Sequence, residues 1–424
     1  MRLLVLSPDF ASHWSPLSVA ASAARDAGHT VVVATGPLLR PAVEAAGFEW
    51  RPLRLGAGGN DGVARGRDAA QAAALDRFIG ATRAGAAATL ALQADERLVD
   101  LLFEPERVVA DVAAIVRDVD PDRLVVDHVS FNSTLAARAT GRPFTTVVPG
   151  HPSQLPVGDE RYGLPPAWPA ALHPDADALD DLRARCDRVA ERFTARWNDA
   201  QAAVAPHLTP VDDAFRVHGD RVVLHWSATH HDPERTPSLP GGATFAGPLT
   251  RTEAPADLPD DDRPLVYVAL GTFLSHRGDV LARLATALRH LDVRAAIATG
   301  PTPAADLGPL PHGWIVAERL PQVALLGRAS VAVSHGGNNS VQEALRAGVG
   351  QVVLPFSTDQ FAIGADLERA GVATVVDPNS TSVDALAEAI AGRLAAAPPA
   401  PVAPDLAVVV AALTGASATA YSSS

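Results

Sequence analysis

Lysine is missing altogether: all 35 basic residues among the 424 are arginine. That excludes lysine-dependent phosphate loops and Schiff-base chemistry. Cysteine is nearly missing too, and the single Cys186 cannot close an internal disulfide, which fits a reducing cytoplasm. With no histidine and aspartate pattern around it, Cys186 reads as a structural, buried thiol. Positive charge is in deficit: 48 acidic residues against 35 basic ones leave a formal net charge of −13. Nucleic acid and anionic membrane surfaces both require basic patches, so neither is expected as a partner. Any phosphate must be held locally. Long apolar runs are also lacking. The longest, near 406–413, falls short of the ~18 residues of a membrane helix, and the apolar start before Asp9 is shorter than the roughly 7 to 15 residues of a signal peptide. The expectation is a cytoplasmic protein without integral membrane association.

What is present is a globular composition, 47% apolar and 20% charged, on a chain too long for one ordinary domain. Strand and helix patterns alternate almost throughout. Compact apolar or β-branched runs at 2–7 and 30–35 flank a helical pattern at 16–27, a unit whose crossover makes the sheet parallel. Further strands are expected at 123–127, 144–148 and 221–224, with a helix at 133–139. Alanine-rich helical stretches at 68–102 and 107–117 and a proline-rich segment at 152–174 interrupt the first half and read as walls of a substrate cleft. Prolines, glycines and the acidic run Asp260 to Asp262 break the pattern over 225–263. Alternation resumes with strands at 265–270, 295–299, 330–333, 352–354 and 373–376, and helices at 279–291, 322–327, 340–347, 361–370 and 383–395. The reading is α/β, with two Rossmann-like, doubly wound parallel-sheet domains facing each other across a cleft. A first domain takes 1–224, a linker 225–263 and a second domain 264–424, whose last helix packs back on the first domain. Ligands of such sheets bind beyond the C-terminal strand ends, which puts the working site between the domains.

One stretch of the second half carries the strongest chemical signal. At VAVSHGGNNSVQEALRAG a β-branched run stops at His335, Gly336 and Gly337 follow, and a helix begins near Asn339. A helix N-terminus offers unpaired N–H groups and about half a positive charge, an anion site that needs no lysine. His335, Asn338, Asn339 and Ser340 can add donors, and Glu343, one turn on, can meet a sugar hydroxyl. After the next strand, Asp359 and Gln360 leave the same sheet edge with the acceptors and donors that a sugar ring requires. Asp175 and Asp177 have the Asp-x-Asp spacing of a metal site, but they sit in the proline-rich insertion and read as a solvated helix start. No metal and no resident cofactor is expected.

The run from Arg319 to Glu368, with LPQVALL, HGGNNSVQEAL and AGVGQVVLPFSTDQ, resembles the donor-binding signature of family 1 nucleotide-sugar glycosyltransferases of GT-B fold, notably bacterial natural-product and macrolide-type ones, and the likeness extends along the whole chain in order and length. The resemblance implies that His335 and the backbone of Gly337, Asn338, Asn339 and Ser340 hold the donor diphosphate. Glu343 would hold the ribose, Asp359 and Gln360 the sugar, and Arg319 and Gln322 would complete the donor site. Gly271 and Thr272 match the family's small-residue pair near the phosphates. In the first half, ASHWSPL places His13 and Pro16 where the family has Gly-His-x-x-Pro, with Ser12 for the glycine. His13 then deprotonates the acceptor, Asp127 orients His13, and configuration inverts without a metal; His128 points to the other side of its strand and is structural.

Arg319 replaces the tryptophan that stacks on uracil in the family. With an all-arginine complement of GC-rich, actinobacterial type, this leaves dTDP-sugars as open as UDP-sugars. Phe10, Trp14, Phe78, Phe103 and Phe131 are candidates for an apolar acceptor pocket. The expected partners are a nucleotide-sugar donor and a small hydrophobic natural-product acceptor, glycosylated on a nucleophilic group, first of all a hydroxyl, by a monomer or homodimer. The alternatives are a sugar-nucleotide epimerase on the same fold and a catalytically idle activator subunit.

Overall fold

Short runs rich in valine, leucine, alanine and threonine pack as strands because parallel sheets are covered on both faces and tolerate apolar residues at every position. The computed structural model describes residues 1–56, 58, 69–172, 174–254, 256, 258 and 261–416. Asp68, Pro255, Pro259 and Asp260, which the sequence reading assigns to a helix and to the linker, lie outside the described residues. Among the described residues, the first sheet contains β1 (Arg2–Leu6), β2 (Thr30–Thr35), β3 (Glu49–Pro52), β4 (Arg123–Asp127), β5 (Phe144–Val148), β6 (Arg221–Leu224) and β7 (Ala243–Phe245). Their order is β3-β2-β1-β4-β5-β6-β7, parallel throughout. The second sheet contains β8 (Leu265–Ala269), β9 (Arg294–Ala298), β10 (Ile315–Ala317), β11 (Val331–Ser334), β12 (Gly350–Val353) and β13 (Ala373–Val375). Its order is β10-β9-β8-β11-β12-β13, again parallel.

Both sheets reverse their direction of winding at one place. In the first, β1 lies between β2 and β4, and in the second β8 lies between β9 and β11. A crevice opens outside the carboxyl ends of the strands at such switch points. The register Leu6↔Val126 brings the loops after β1 and β4 together, and Ser334↔Ala269 does the same for the loops after β11 and β8. His13 follows β1 and Asp127 ends β4, Gly271 and Thr272 follow β8, the stretch from His335 to Glu343 follows β11, Asp359 and Gln360 follow β12, and Arg319 and Gln322 follow β10.

Some elements differ from expectation. The linker contains β7, a half-buried three-residue strand too short for any periodicity to show. A 29-residue helix, Ala176–Val204, follows the proline-rich segment and buries Phe193 and Trp197 completely, although its many charges mask the apolar stripe. Asp175 caps it by accepting the Ala178 N–H at 2.8 Å, as a solvated helix start should. The first helix, Ala11–Asp26, starts five residues before Pro16, so that proline lies inside it. Proline has no N–H, and the carbonyl four residues back, on Ser12, is left without its helical donor.

The chain also returns to where it began. The helix Leu406–Thr414 lies against Ala11–Asp26, and Val409, Ala412 and Leu413 share a core with Leu3, Val5 and Leu17. Thr145 Oγ1 of β5 donates to the Ala412 carbonyl at 2.8 Å. Cys186 is buried in the core on the opposite face of the first sheet.

Candidate active site

His13 and Asp127 are 114 residues apart in sequence, and the first switch point joins them: His13 Nδ1 and Asp127 Oδ2 are 2.9 Å apart. Asp127 is fully buried and its Oδ1 also accepts the Val129 N–H at 3.0 Å. The carboxylate therefore takes the Nδ1 proton, which leaves Nε2 as the free, basic nitrogen. Burial alone would make His13 harder to protonate. The charge and hydrogen bond of Asp127, helped by the charge of Asp359, outweigh this and hold its pKa above the ordinary histidine value. His128 faces the other way. It meets the Gln154 carbonyl at 2.7 Å and burial pushes it down to about 4, so it is a neutral structural residue.

Across the cleft, Gly336 has φ +79° and carries the chain from β11 into the helix Asn338–Ala347, whose N-terminus has no side-chain cap. A Cβ on Gly337 would lie 2.3 Å from His335 Nε2, and one on Gly271 2.8 Å from its Cε1. The two glycines thus make room for the imidazole beside the open helix terminus. Burial pushes His335 down to about 4, against the opposing effect of a hydrogen bond to the Ala269 backbone, so it is neutral and carries one N–H. A cavity of about 570 Å³ runs over this terminus, lined by Gly271, Thr272, Arg319, Gln322, His335, Gly337, Ser340, Glu343 and Gln360, with Ser12 and Ser15 from the first half.

A polar chain stands behind it. The Tyr267 hydroxyl donates to Gln322 Oε1 at 3.0 Å, and Gln322 Nε2 reaches Glu343 Oε2 at 2.5 Å and Ser340 Oγ at 3.2 Å. Burial raises the pKa of Glu343, against the opposing charge of Arg251, whose Nε stands 3.6 Å from Glu343 Oε1. Arg319 is exposed on the cavity wall.

Three of the expected side-chain donors point elsewhere. Asn338 is buried and its Nδ2 donates to the carbonyls of Pro149 and His225, at 2.8 and 3.1 Å. It ties the helix to the first half, and only its backbone faces the cavity. Gln360 turns back on its own loop: Oε1 accepts from the N–H groups of Phe356 and Ser357, and Nε2 donates to Ser357 Oγ. One amide hydrogen remains available. Asn339 reaches the carbonyl that Pro16 leaves without a donor, with Nδ2 2.8 Å from Ser12 O.

Asp359 sits with His13 in an adjoining cavity of about 370 Å³. Its Oδ2 accepts from the His151 N–H at 2.8 Å and from Gln154 Nε2 at 3.2 Å. These partners come from the turn after β5, and nothing in their local pattern marks them. A third cavity, about 420 Å³, opens at the ends of β1 to β4 and is mainly apolar, with Pro8, Phe10, Pro37, Leu38, Leu55 and Val129 in its wall. Val129 and Leu101 border both it and the His13 cavity.

Of the aromatic residues proposed for an acceptor pocket, Phe10 lines this cavity, its ring 5.7 Å from that of His13. Phe131 only closes the floor, being 1% exposed and packed edge-on against Phe193 and Phe215. Trp14 is core, packed edge-on against Phe48. Phe78, on a helix of the first half, packs against the second domain's core and lines the cavity over the helix terminus. Phe103 stacks under the guanidinium groups of Arg54 and Arg107. Helical spacing cannot say which side of a wall an aromatic ring faces.

Comparison with known proteins bears on the fold and the family. Residues 282–410 match the family model "Erythromycin biosynthesis protein CIII-like, C-terminal domain". The uncharacterized UDP-glucosyltransferase YdhE of Bacillus subtilis is 25% identical over 222 residues, 52% of this chain and 54% of that protein, so the match spans about half its length. The 4'-demethylrebeccamycin synthase of Lentzea aerocolonigenes is 26% identical over 392 residues, 87% of this chain and 86% of that protein. Among solved structures, the glycotransferase of kitacinnamycin superposes with a TM-score of 0.66 at 20% identity, covering 98% of this chain and 94% of that one. The glycosyltransferase VinC, in complex with dTDP, superposes with a TM-score of 0.61 at 21% identity, covering 93% and 91%. At such identities the superpositions bear on the fold.

Proposed function

We propose, from the likeness to family 1 nucleotide-sugar glycosyltransferases of GT-B fold, that the chain moves a hexose or deoxyhexose from a nucleoside-diphosphate sugar to a hydroxyl of a small hydrophobic natural product, with inversion. The observation that carries this reading is the His13–Asp127 pair at 2.9 Å, opening toward Asp359 and next to the uncapped helix terminus.

In the proposed step the acceptor oxygen attacks the anomeric carbon while His13 Nε2 takes its proton, and Asp127 stabilises the resulting imidazolium. The bond between the anomeric carbon and the diphosphate breaks. The departing negative charge meets the backbone N–H groups at the start of Asn338–Ala347 and the neutral His335, both fixed in advance of the reaction. Glu343, held by Gln322, accepts from the ribose, and Asp359 with the remaining Gln360 hydrogen meets the sugar. The acceptor occupies the apolar cavity beside Phe10. Arg319 stacks on the base, and the dTDP complex of VinC and the UDP-glucosyltransferase name of YdhE make those two donors the first to try.

The test is His13→Ala. Transfer to a hydroxyl acceptor should fall by roughly 10²- to 10⁴-fold, the usual contribution of a general base, while nucleoside diphosphate affinity measured by calorimetry stays unchanged. Full transfer in this variant would sink the reading. A panel of nucleotide sugars in a thermal-shift assay then identifies the donor, since a tight ligand raises stability by mass action.

A further inference from the structure

The side chains of His151, His231 and Asp366 play no part in the proposed transfer, yet they form the most concentrated group of metal-ligating side chains among the described residues. They come from three distant segments: the turn after β5, the linker, and the helix Gln360–Arg369 of the second half. They are 1%, 2% and 3% exposed. His151 Nε2 is 3.0 Å from Asp366 Oδ2 and His231 Nδ1 is 3.5 Å from it, and the three ligand atoms lie within 4.8 Å of one another. Three ligands at zinc–nitrogen and zinc–oxygen bond lengths stand about 3.3 Å from each other in a tetrahedral site, close to the two separations from Asp366 Oδ2.

A second observation points the same way. His231 Nε2 is buried without a hydrogen-bond partner among the described residues, and Nδ1 has only the 3.5 Å approach to Asp366 Oδ2; a buried group that meets neither water nor protein costs about 1 to 3 kcal/mol. We propose that His151, His231 and Asp366 bind one divalent transition-metal ion of the zinc type, clipping the linker and the first domain to the second.

The surroundings suit this. The other oxygen of Asp366 accepts from Arg369 Nη2 at 2.8 Å, a partner that orients a ligating carboxylate. Ser153 Oγ is 2.9 Å from His151 Nδ1 and accepts the Nδ1–H that a metal-bound His151 needs. The nearby cation Arg235 is already matched by Glu160, Nη2 to Oε2 at 2.8 Å. A cavity of about 330 Å³ touching all three ligands lets the ion in and water reach its fourth position. In the metal-free arrangement the Ser153 N–H donates to His151 Nδ1, so Nε2 carries the proton that Asp366 accepts. Metal at Nε2 requires the other neutral tautomer, so this proton moves to Nδ1, where Ser153 Oγ accepts it, and none is released.

The ion would sit outside the reacting groups. It would act through the backbone of His151, whose N–H holds Asp359.

The experiment uses the full chain, freed of any histidine tag, stripped by dialysis against chelator and titrated with Co²⁺ and then Zn²⁺. One equivalent of Co²⁺ should produce the visible absorption of a low-coordinate nitrogen and oxygen site, and Zn²⁺ should abolish it. Zn²⁺ at a hundredfold excess over its dissociation constant should raise the melting temperature by on the order of 3 °C. Asp366→Asn and His231→Phe, the latter chosen to keep packing against Phe245, should each lose both signals. No cobalt absorption and no thermal rise in the unaltered protein would overturn the site, and so would equal signals in both variants, which would mark adventitious binding. All readouts are made without sugar donor or acceptor, so they stand or fall separately from the transfer reaction.

Discussion

His13 holds its proton more tightly than a free imidazole, which gives the pH profile a direction. A general base must be neutral, so kcat/KM should fall as pH falls, with the midpoint above the ordinary value of about 6.5. Asp127→Asn removes the charge that raises the pKa, so the acid limb should move to lower pH while the rate itself drops by on the order of 10²-fold or more. A pH–rate series on both proteins checks this, and an unmoved limb would count against the pairing. His335, near 4, should add no limb between pH 5 and 8. Gly337→Ala puts a methyl group 2.3 Å from His335 Nε2 and should weaken nucleoside diphosphate binding by an order of magnitude or more, read by calorimetry. Residues on tight loops after strands were legible because glycine, histidine and carboxylate at such places have few structural uses. Gln154 and His151 were not, because their value lies in meeting Asp359, a neighbour 205 and 208 residues away. Asn338 was misread for the same reason: its backbone position was visible and its side-chain partners were not.

The helix Asn338–Ala347 links two jobs. In the proposed transfer its open terminus would meet the charge of the leaving group, so added Mg²⁺ or Mn²⁺ should leave turnover unchanged; a strict requirement for either would overturn that assignment. The same terminus carries Asn339, which reaches the Ser12 carbonyl one residue before His13. Pro16 keeps that carbonyl available by lacking an N–H. Pro16→Ala should restore the intrahelical bond, leave the protein at least as stable, and raise the donor KM several-fold, because the intrahelical N–H then competes with Asn339 for the carbonyl. Asn339→Ala should raise KM in the same way without the gain in stability. Steady-state kinetics with thermal melts separate the two. Helices and strands with clean period were read to within a few residues, and Thr30–Thr35, Phe144–Val148 and Val383–Ala395 fall where expected. Three-residue strands such as β7 and β10 were not, since their pairing comes from the sheet rather than from their own residues.

For the whole molecule, alternation of strand and helix was enough to foresee two parallel sheets facing a cleft, because a crossover helix leaves a parallel sheet little other choice. The cavities between them depended on long-range side-chain contacts and could not be foreseen. The helix Leu406–Thr414, packed on the first sheet, has a consequence for exchange of parts between relatives. A hybrid that keeps this first half but takes everything after 263 from another member would press a foreign helix into the core beside Leu3, Val5 and Leu17. It should melt several degrees lower than a hybrid that regains residues 397–416 of this chain, and equal melting would show that the contact is dispensable. The natural cassette is therefore an insert, open at two junctions, and recombination that preserves stability needs two crossovers where the domain count suggests one.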